Sequence, residues 1–261
     1  MNKTAMITGA ASGLGFELAR LLAADSYQLI LVDRDDTGLE RARSDLEKEF
    51  DVPVITRQSD LALPGAVDKI WDELKDNRFD VLVNNAGFGL YGFFSETPWE
   101  KEEEMLHLHI MTVTRLTKLV LGRMREQGSG RILNVSSLAA FQPGPLMSIY
   151  YASKAYILSF SEALANELQG TGITVTVLAP GWFRTNFQKT TARNSNVEES
   201  QARLHTATPE MVAIAAYQAM KRGKVLVIPG SANRLMSVAP RVLPRRTMTR
   251  IIRRIQEKLR E

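Results

Sequence analysis

The chain lacks several residues and segments on which common protein chemistry depends. It contains no cysteine, which excludes disulfide bonds, thiolate zinc sites and cysteine nucleophiles. Its only histidines are His107, His109 and His205, and their spacing matches no metal-ligand motif, so no metal site is predicted. No apolar run approaches the about 18 residues of a membrane span. The first predicted strand begins within a few residues of Met1, which leaves no room for a signal peptide. We therefore expect a cytoplasmic protein.

The net positive charge of the chain is concentrated at its C-terminus. The 261 residues carry a net charge of +4. The segment 234–261 holds nine Arg and Lys and two Glu, so it accounts for +7 and leaves −3 for residues 1–233. Nucleic-acid-binding domains carry their basic residues across a folded face. This distribution therefore does not favour a nucleic-acid partner and marks 234–261 as a separate basic extension.

Apolar runs alternate with helical patterns along residues 1–233. Continuous apolar strands separated by helices are typical of a parallel sheet covered on both faces. We predict a single-domain doubly wound α/β fold of the Rossmann type, with a seven-stranded parallel sheet in a three-layer sandwich. The predicted strands span 4–8, 28–33, 54–58, 79–84, 131–135, 173–178 and 224–228. The predicted helices span 13–24, 36–50, 64–75, 102–126, 150–169 and 209–222. The polar stretch 186–208 is predicted to be a substrate loop.

A tyrosine and a lysine are spaced for acid–base chemistry. Tyr150 and Lys154 are four residues apart in a predicted helix, so they share a face, and Ser137 lies thirteen residues before Tyr150. Tyrosine has a pKa of about 10, and a nearby ammonium favours phenolate. A hydroxyl such as Ser137 can hold a substrate oxygen beside the phenol. The group predicts proton transfer to or from an alcohol or a carbonyl.

A glycine-rich turn opens the chain and predicts a dinucleotide site. Gly9, Gly13 and Gly15 follow the first strand, where glycines let the backbone approach a pyrophosphate at a helix N-terminus. Asp33 ends the second strand, where a carboxylate can accept both ribose hydroxyls of NAD and would repel the 2′-phosphate of NADP. Arg34 would instead suit NADP, but the turn itself has no basic residue. The pattern favours NAD over NADP.

Together these motifs resemble the short-chain dehydrogenase/reductase family from about Lys3 to Ile228. The glycine spacing, G-x-x-x-G-x-G, is similar to that family's variant of the dinucleotide turn. The matching pieces stand in the family's order: the glycine turn, Asp33, Asp60-Leu61, Asn84-Asn85-Ala86-Gly87, Ser137, Tyr150 with Lys154, and Pro180-Gly181 with Thr185. The side chain of Asn84 is expected to tie neighbouring strands together.

The resemblance implies an oxidoreductase that transfers a hydride between a nicotinamide cofactor and an alcohol/ketone pair. Tyr150 would be the general acid/base, Ser137 would stabilise the substrate oxygen, and Lys154 would lower the tyrosine pKa together with the oxidised nicotinamide and bind the ribose. The substrate would be a small molecule. The enzyme would be a homodimer or homotetramer in which the long helices 102–126 and 150–169 pack across a two-fold axis. The implied cofactor-binding residues are Gly9, Ser12, Gly13, Leu14, Gly15, Asp33, Arg34, Asp60, Leu61, Asn85, Ala86, Gly87, Tyr150, Lys154, Pro180, Gly181 and Thr185.

One position departs from the family pattern. His109 stands where the family has an asparagine that holds a water in the proton relay from the lysine. An imidazole also donates and accepts hydrogen bonds, so His109 is a candidate catalytic residue that could make the proton step sensitive to pH. It could equally be a histidine packed at a helix contact. A non-catalytic NAD(H)-binding sensor or scaffold on the same fold is the alternative function that this departure leaves open.

Aromatic and long apolar residues cluster near the predicted site, which suggests an apolar substrate. The candidate lining residues are Phe88, Leu90, Tyr91, Phe93, Phe141, Met147, Trp182 and Phe183.

The basic extension has a helical pattern from Arg245 onwards. An apolar stripe is flanked by arginines, as in helices that lie on anionic membranes. The same helix could instead pack on a second subunit or cover the body of the enzyme. The stripe consists of Met248, Ile251, Ile252, Ile255 and Leu259.

Overall fold

The computed structural model describes residues 3–181 and 207–258, and it has the predicted architecture. Seven parallel strands form one sheet in the order β3-β2-β1-β4-β5-β6-β7, with helices on both faces. The strands are β1 (Thr4–Thr8), β2 (Gln28–Asp33), β3 (Val54–Gln58), β4 (Val81–Asn84), β5 (Gly130–Val135), β6 (Ile173–Leu178) and β7 (Leu226–Val227).

Nine α-helices, one 3-10 helix and one π-helical segment accompany the sheet in the described part of the chain. The α-helices are α1 (Gly13–Ala24), α2 (Asp36–Glu49), α3 (Ala66–Leu74), α4 (Trp99–Leu106), α5 (Val113–Gln127), α6 (Ser148–Glu167), α7 (Pro209–Lys221), α8 (Ser231–Val242) and α9 (Arg245–Lys258). The π-helical segment spans His107–Thr112, and the 3-10 helix spans Leu138–Phe141. None of the described helices has both the length and the apolar content for a bilayer crossing.

Two apolar layers hold the sheet between its helices. On one face α1 and α7 pack on the side chains of β1 and β2. On the other face α3 and α5 pack on the remaining side chains of the same strands, with Phe79 fully buried at the centre. Side chains of a strand alternate between faces, so strands buried on both sides read as unbroken apolar runs. That is the pattern from which the sheet was predicted.

Several predicted boundaries are wrong for local reasons. Helix α3 begins at Ala66 rather than Pro64, because Gly65 has a φ of +78° and forms the helix cap. The single helix predicted over 102–126 begins earlier, at Trp99, and is interrupted by the π-helical segment. Strand β7 has two residues instead of five. Helix α8 was not predicted, and it includes Pro240 in its last turn, where one missing N–H removes one hydrogen bond.

Candidate active site

The carboxyl ends of β1 and β4 are joined by hydrogen bonds at the point where the strand order reverses. The Thr8 hydroxyl accepts the backbone N–H groups of Asn85 and Ala86 at 3.0 and 3.1 Å. The Asn85 side-chain amide donates to the carbonyl oxygens of Thr8 and Gly9. Ligands of doubly wound sheets bind at this switch point. The segment after β4 therefore fixes the glycine turn in place.

Two of the three glycines are required by close contacts. Gly9 has a φ of +66°, and a Cβ there would lie 2.9 Å from the Cα of Ala86. A Cβ on Gly15 would lie 2.0 Å from the Gly9 carbonyl oxygen. The backbone of the turn therefore approaches the segment after β4 and helix α1 so closely that Gly9 and Gly15 have no room for a side chain.

Helix α1 begins directly after this turn and points its N-terminus at the switch point. Gly13 is its first residue, Leu14 is buried, and the preceding Ser12 makes no side-chain capping hydrogen bond to the helix. The first N–H groups of a helix have no intrahelical acceptor and carry partial positive charge. This end of α1 can therefore hold a pyrophosphate.

Asp33 lies next to the turn, as predicted. Its carboxylate accepts the Ala11 N–H at 3.0 Å and the Asp35 N–H at 3.1 Å. A carboxylate oxygen has two acceptor sites, so each oxygen keeps capacity for a ribose hydroxyl. Arg34 is exposed at the surface.

Asp60 and Leu61 follow β3. Asp60 accepts the Ala62 N–H at 3.0 Å and thereby stabilises the turn before α3. It does not cap that helix, whose first residue lies further along the chain. Leu61 is buried, and its carbonyl accepts the Thr112 hydroxyl at 2.7 Å. The two residues therefore line the same edge of the sheet as Asp33.

An asparagine pair fixes the strands beneath the site. The Asn84 amide donates to the side chains of Asn134 and Thr117 at 2.8 and 3.0 Å, and Asn134 donates to Ser161 at 2.9 Å. These bonds connect β4 and β5 to α5 and α6. The prediction that Asn84 ties neighbouring strands together is confirmed.

Ser137, Tyr150 and Lys154 come together at the carboxyl end of β5. The Ser137 hydroxyl accepts the Ala139 N–H at 3.1 Å and is also hydrogen-bonded to the Tyr150 phenol. Lys154 is buried, its ammonium donates to the Val135 carbonyl at 3.0 Å, and it lies 5.7 Å from the centre of the Tyr150 ring. The three residues whose spacing predicted proton transfer are thus neighbours in space.

Burial governs the acid–base properties of this group. Desolvation raises the pKa of Tyr150, an effect that the hydrogen bond from Ser137 partly opposes. The same loss of water lowers the pKa of Lys154 to about 7. The sequence predicted that the pKa of Tyr150 is lowered, whereas in the folded chain it is raised. The reason is that removal of water destabilises both charged forms, phenolate and ammonium alike.

His109 is fully buried beside these residues, on the π-helical segment. Its Nε2 accepts the Phe88 N–H at 3.3 Å, so a neutral ring carries its proton on Nδ1, which lies 2.9 Å from the Ser153 hydroxyl. The Ser153 hydroxyl in turn donates to the Tyr150 carbonyl at 2.8 Å. Burial lowers the pKa of His109 well below its ordinary value, and the positive charge of Lys154 lowers it further. His109 is therefore a neutral group that connects the segment after β4 to α6.

Gly87 is the point at which His109 and Lys154 meet that segment. A Cβ at Gly87 would lie 2.8 Å from His109 Nε2 and 3.5 Å from Lys154 Nζ. Any side chain there would displace the imidazole. Sequence reasoning assigned Gly87 to the cofactor side and did not detect this contact.

The residues after β6 are only partly described. The Pro180 carbonyl accepts the Leu138 N–H at 2.9 Å, and Gly181 packs against the Asn233 side chain. Thr185, Trp182, Phe183 and the part of the predicted substrate loop from 186 to 206 lie outside the described residues, as does Leu259.

A narrow cavity adjoins Tyr150 on the predicted substrate side. Leu90 and Met147 line it, as expected from the sequence. Phe141 is not among the residues that line this cavity; it is half-buried and packs in the apolar clusters of Leu138 and Ile157. The remaining lining residues come from α4, from α6 and from the segments before these helices, so no local sequence pattern marks them: Gly92, Thr97, Glu102, Met105, Leu146, Ser148 and Ile149.

The C-terminal helix α9 covers part of the same wall. Its Ile252 packs with Met147 and Tyr151, next to Tyr150. Its Gln256 donates from the side chain to the Tyr151 hydroxyl at 2.9 Å, and the Gln256 carbonyl accepts the Tyr91 hydroxyl at 2.6 Å. The covering role that the sequence left open is therefore present in the structure.

The family model of the short-chain dehydrogenases matches residues 3–196. The chain belongs to the short-chain dehydrogenase/reductase family. It is 32% identical over 231 residues to a ketoacyl reductase of Nostoc sp., covering 87% of this chain and 78% of that protein. It is 29% identical over 246 residues to a very-long-chain 3-oxoacyl-CoA reductase of Rattus norvegicus, covering 92% and 77%.

A solved structure of the same family supports the assignment. A short-chain dehydrogenase from Sphingobium yanoikuyae in complex with NADPH superimposes with a TM-score of 0.81 at 30% identity, over 90% of this chain and 92% of that one. With the site geometry, these matches show that this family member is an oxidoreductase that transfers a hydride between a nicotinamide cofactor and an alcohol or ketone.

Proposed function

We propose that this dehydrogenase/reductase uses NAD to interconvert an apolar alcohol and its ketone, with Tyr150 as the general acid/base. The observation that carries this proposal is the contact of Tyr150 with Ser137 and Lys154 at the edge of the sheet that bears the glycine turn. The apolar wall formed by Leu90 and Met147 supports an apolar substrate. So do the names of the two relatives, which are reductases of ketoacyl and very-long-chain 3-oxoacyl groups.

Each catalytic side chain has one role in the proposed mechanism. The bound nicotinamide supplies or accepts the hydride at the substrate carbon. Ser137 donates a hydrogen bond to the substrate oxygen and stabilises developing alkoxide. The Tyr150 phenol gives a proton to that oxygen during reduction and takes it back during oxidation. Lys154 in its charged form favours phenolate and binds the cofactor ribose.

The cofactor assignment rests on the carboxylate of Asp33. It is held by two backbone N–H groups beside the glycine turn. In that position it can accept ribose hydroxyls, and it opposes the charge of a 2′-phosphate. We therefore favour NAD over NADP. In the same proposal Gly9, Ser12, Gly13, Leu14, Gly15, Asp60, Leu61, Asn85, Ala86, Gly87, Pro180, Gly181 and Thr185 complete the cofactor site.

Assembly and location belong to the same proposal. We infer a homodimer or homotetramer of a cytoplasmic protein, with residues 1–233 as the catalytic domain and 234–261 as an extension that can reach a membrane surface. Exposed arginines on α9 support membrane contact. Cell fractionation tests the compartment.

Exchange of Tyr150 tests the mechanism. In Tyr150→Phe we expect turnover to fall about 10²–10⁴-fold, the usual contribution of a positioned acid/base, while the dissociation constant of NAD changes little. The matched control is Tyr151→Phe, which removes the neighbouring phenol. Turnover is followed by the absorbance of reduced nicotinamide with a series of apolar ketones. An active Tyr150→Phe enzyme beside an inactive Tyr151→Phe enzyme would show that the wrong tyrosine was chosen.

A further inference from the structure

Helices α8 and α9 expose an unusual number of apolar side chains. Leu235 and Val242 on α8 are 75% and 77% exposed, and Ile255 on α9 is 45% exposed. Helix α8 packs against the 3-10 helix Leu138–Phe141, and Ile252 of α9 belongs to one apolar cluster with Ala139 of that 3-10 helix. Only two residues separate α8 from α9. We define the C-terminal face as the exposed apolar residues of these two helices and of the turn between them: Leu235, Met236, Val238, Val242, Leu243, Ile251 and Ile255.

Unpaired cations surround the C-terminal face. Residues 234–258 hold eight Arg and Lys and one Glu, a net charge of +7. The one Glu is bound to Arg253 at 2.7 Å. No salt bridge is found within the described residues for the other exposed cations of α9 and the end of α8, which are Arg241, Arg245, Arg246, Arg250, Arg254 and Lys258. Apolar residues with unpaired arginines suit a surface that offers both hydrocarbon and negative charge.

The charge also argues against a second copy of this chain as the occupant. A two-fold contact brings the same patch of both subunits together. Here that would place +7 against +7, and like charges across an interface weaken association. An anionic phospholipid bilayer has the complementary charge, and it accepts the exposed leucines and isoleucines.

The opposite side of α9 belongs to the active-site wall. Ile252 packs on Met147, which lines the cavity at Tyr150, and Gln256 is hydrogen-bonded to Tyr151. The side-chain oxygen of Gln256 is buried and has no hydrogen-bond partner among the described residues. An unsatisfied buried acceptor destabilises the contact that buries it. Helix α9 is thus held on the wall less firmly than its buried area suggests.

We propose that the C-terminal face is a docking surface for anionic lipid bilayers, which places the substrate side of the active site against the membrane. The enzyme then takes its apolar substrate from the bilayer, past the inner face of α9. The second part of this inference rests on the proposed function, whereas lipid docking stands on the charge and exposure of the two helices alone.

Vesicle co-sedimentation of the full chain tests the docking. We expect binding to phosphatidylcholine vesicles that contain phosphatidylserine, weak binding to phosphatidylcholine alone, and release by salt, because exposed charges are screened within about 10 Å at 0.1 M. Arg250→Gln with Arg254→Gln should weaken binding about 30-fold, since each basic residue near the surface contributes about fivefold. The matched control, Arg41→Gln with Lys48→Gln on α2, removes the same charge from two exposed positions of another helix.

A second pair of variants separates lipid from protein partners. Leu235→Ser with Val242→Ser should weaken vesicle binding, whereas Met211→Ser, at an apolar site on α7 that is 57% exposed, should not. Light scattering should give the same oligomer mass for the wild type and for these serine variants. Three results would each overturn the proposal. The wild type does not bind anionic vesicles, the variant Arg250→Gln with Arg254→Gln binds them as well as the wild type, or the variant Leu235→Ser with Val242→Ser forms a smaller oligomer.

Kinetics test the link between docking and catalysis. With a long-chain ketone dissolved in anionic vesicles, the variant Arg250→Gln with Arg254→Gln should have a higher KM than the wild type and an unchanged kcat. With a short water-soluble ketone, neither KM nor kcat should change in this variant. An equal effect on both ketones would overturn the link. If the wild-type enzyme reduces no ketone while vesicle binding behaves as expected, the proposed function fails and the docking surface stands.

Discussion

At the scale of single residues, environment decides what each side chain can do. Tyr150 and Tyr151 are adjacent and chemically identical, yet only Tyr150 meets Ser137 and Lys154, while Tyr151 is bound to Gln256. Burial raises the pKa of Tyr150 and lowers that of Lys154 to about 7. Oxidised nicotinamide, when bound beside the phenol, would add a positive charge that favours phenolate and so opposes the effect of burial.

Asp33 carries the prediction on cofactor choice. In Asp33→Asn we expect NAD to bind about tenfold more weakly, which is the effect of losing one charged hydrogen bond, and NADP to bind more tightly because the repulsion is removed. Thermal stabilisation by each nucleotide measures both affinities. Asp36→Asn, an exposed carboxylate at the start of α2, is the control. Wild-type protein that is stabilised by NADP as much as by NAD would contradict the assignment.

At the scale of elements, the π-helical segment His107–Thr112 has the largest effect on the site. A π-helical turn contains more residues than an α-helical one, so it rotates the side chains that follow relative to a regular helix. This segment directs His109 into the interior, where the imidazole accepts from Phe88 and meets Ser153. His109 thereby connects three elements: the segment after β4, the π-helical segment and α6.

Replacement of His109 tests this connection. The amide of His109→Asn can accept from the Phe88 N–H and donate to Ser153, so we expect turnover to be kept or raised. His109→Leu can do neither, and its turnover should fall. The pH–rate profile near neutral pH should be the same for His109→Asn and wild type, because the wild-type imidazole is neutral there. A folded but inactive His109→Asn enzyme would show a role beyond these two hydrogen bonds.

The same residue should also affect stability as the pH falls. The pKa of His109 is lower in the folded chain than in the unfolded chain, so below pH about 6.5 the unfolded state binds more protons and stability decreases. His109→Asn should remove up to about 1.4 kcal/mol per pH unit of that loss. Denaturant unfolding between pH 7 and 5 measures it. Lys154, whose pKa is lowered to about 7, contributes mainly between that value and its ordinary value of about 10. It is present in both proteins, so the difference between them reports His109.

At the scale of the whole molecule, charge and assembly are linked. Residues 1–233 have a net charge of −3 and residues 234–261 have a net charge of +7, so the chain is strongly polarised. The family resemblance implies a two-fold contact through the long helices α4–α5 and α6. We expect light scattering to give twice or four times the monomer mass. Ala163→Arg on the exposed side of α6 should lower that mass, and Ala24→Arg, an exposed alanine at the end of α1, should not. A monomeric wild type would contradict the prediction.

The sequence by itself determined the sheet, its parallel strands and the grouping of Ser137, Tyr150 and Lys154. Buried strands have to be apolar on both faces, and i, i+4 spacing places two side chains on one side of a helix whatever surrounds them. The role of Asn84 followed for the same reason, because it ends a central strand.

Tertiary structure decided what depends on contacts between distant segments. Phe88 and Ser153 set the tautomer of His109. Burial decides the direction in which the pKa of Tyr150 shifts. Hydrogen bonds with Tyr91 and Tyr151 hold α9 in its position. Phe141 was expected on the substrate wall, but it is half-buried and packs in the clusters of Leu138 and Ile157 instead. No local pattern reports which residues far along the chain will exclude water from a side chain, and desolvation is the larger effect on these groups.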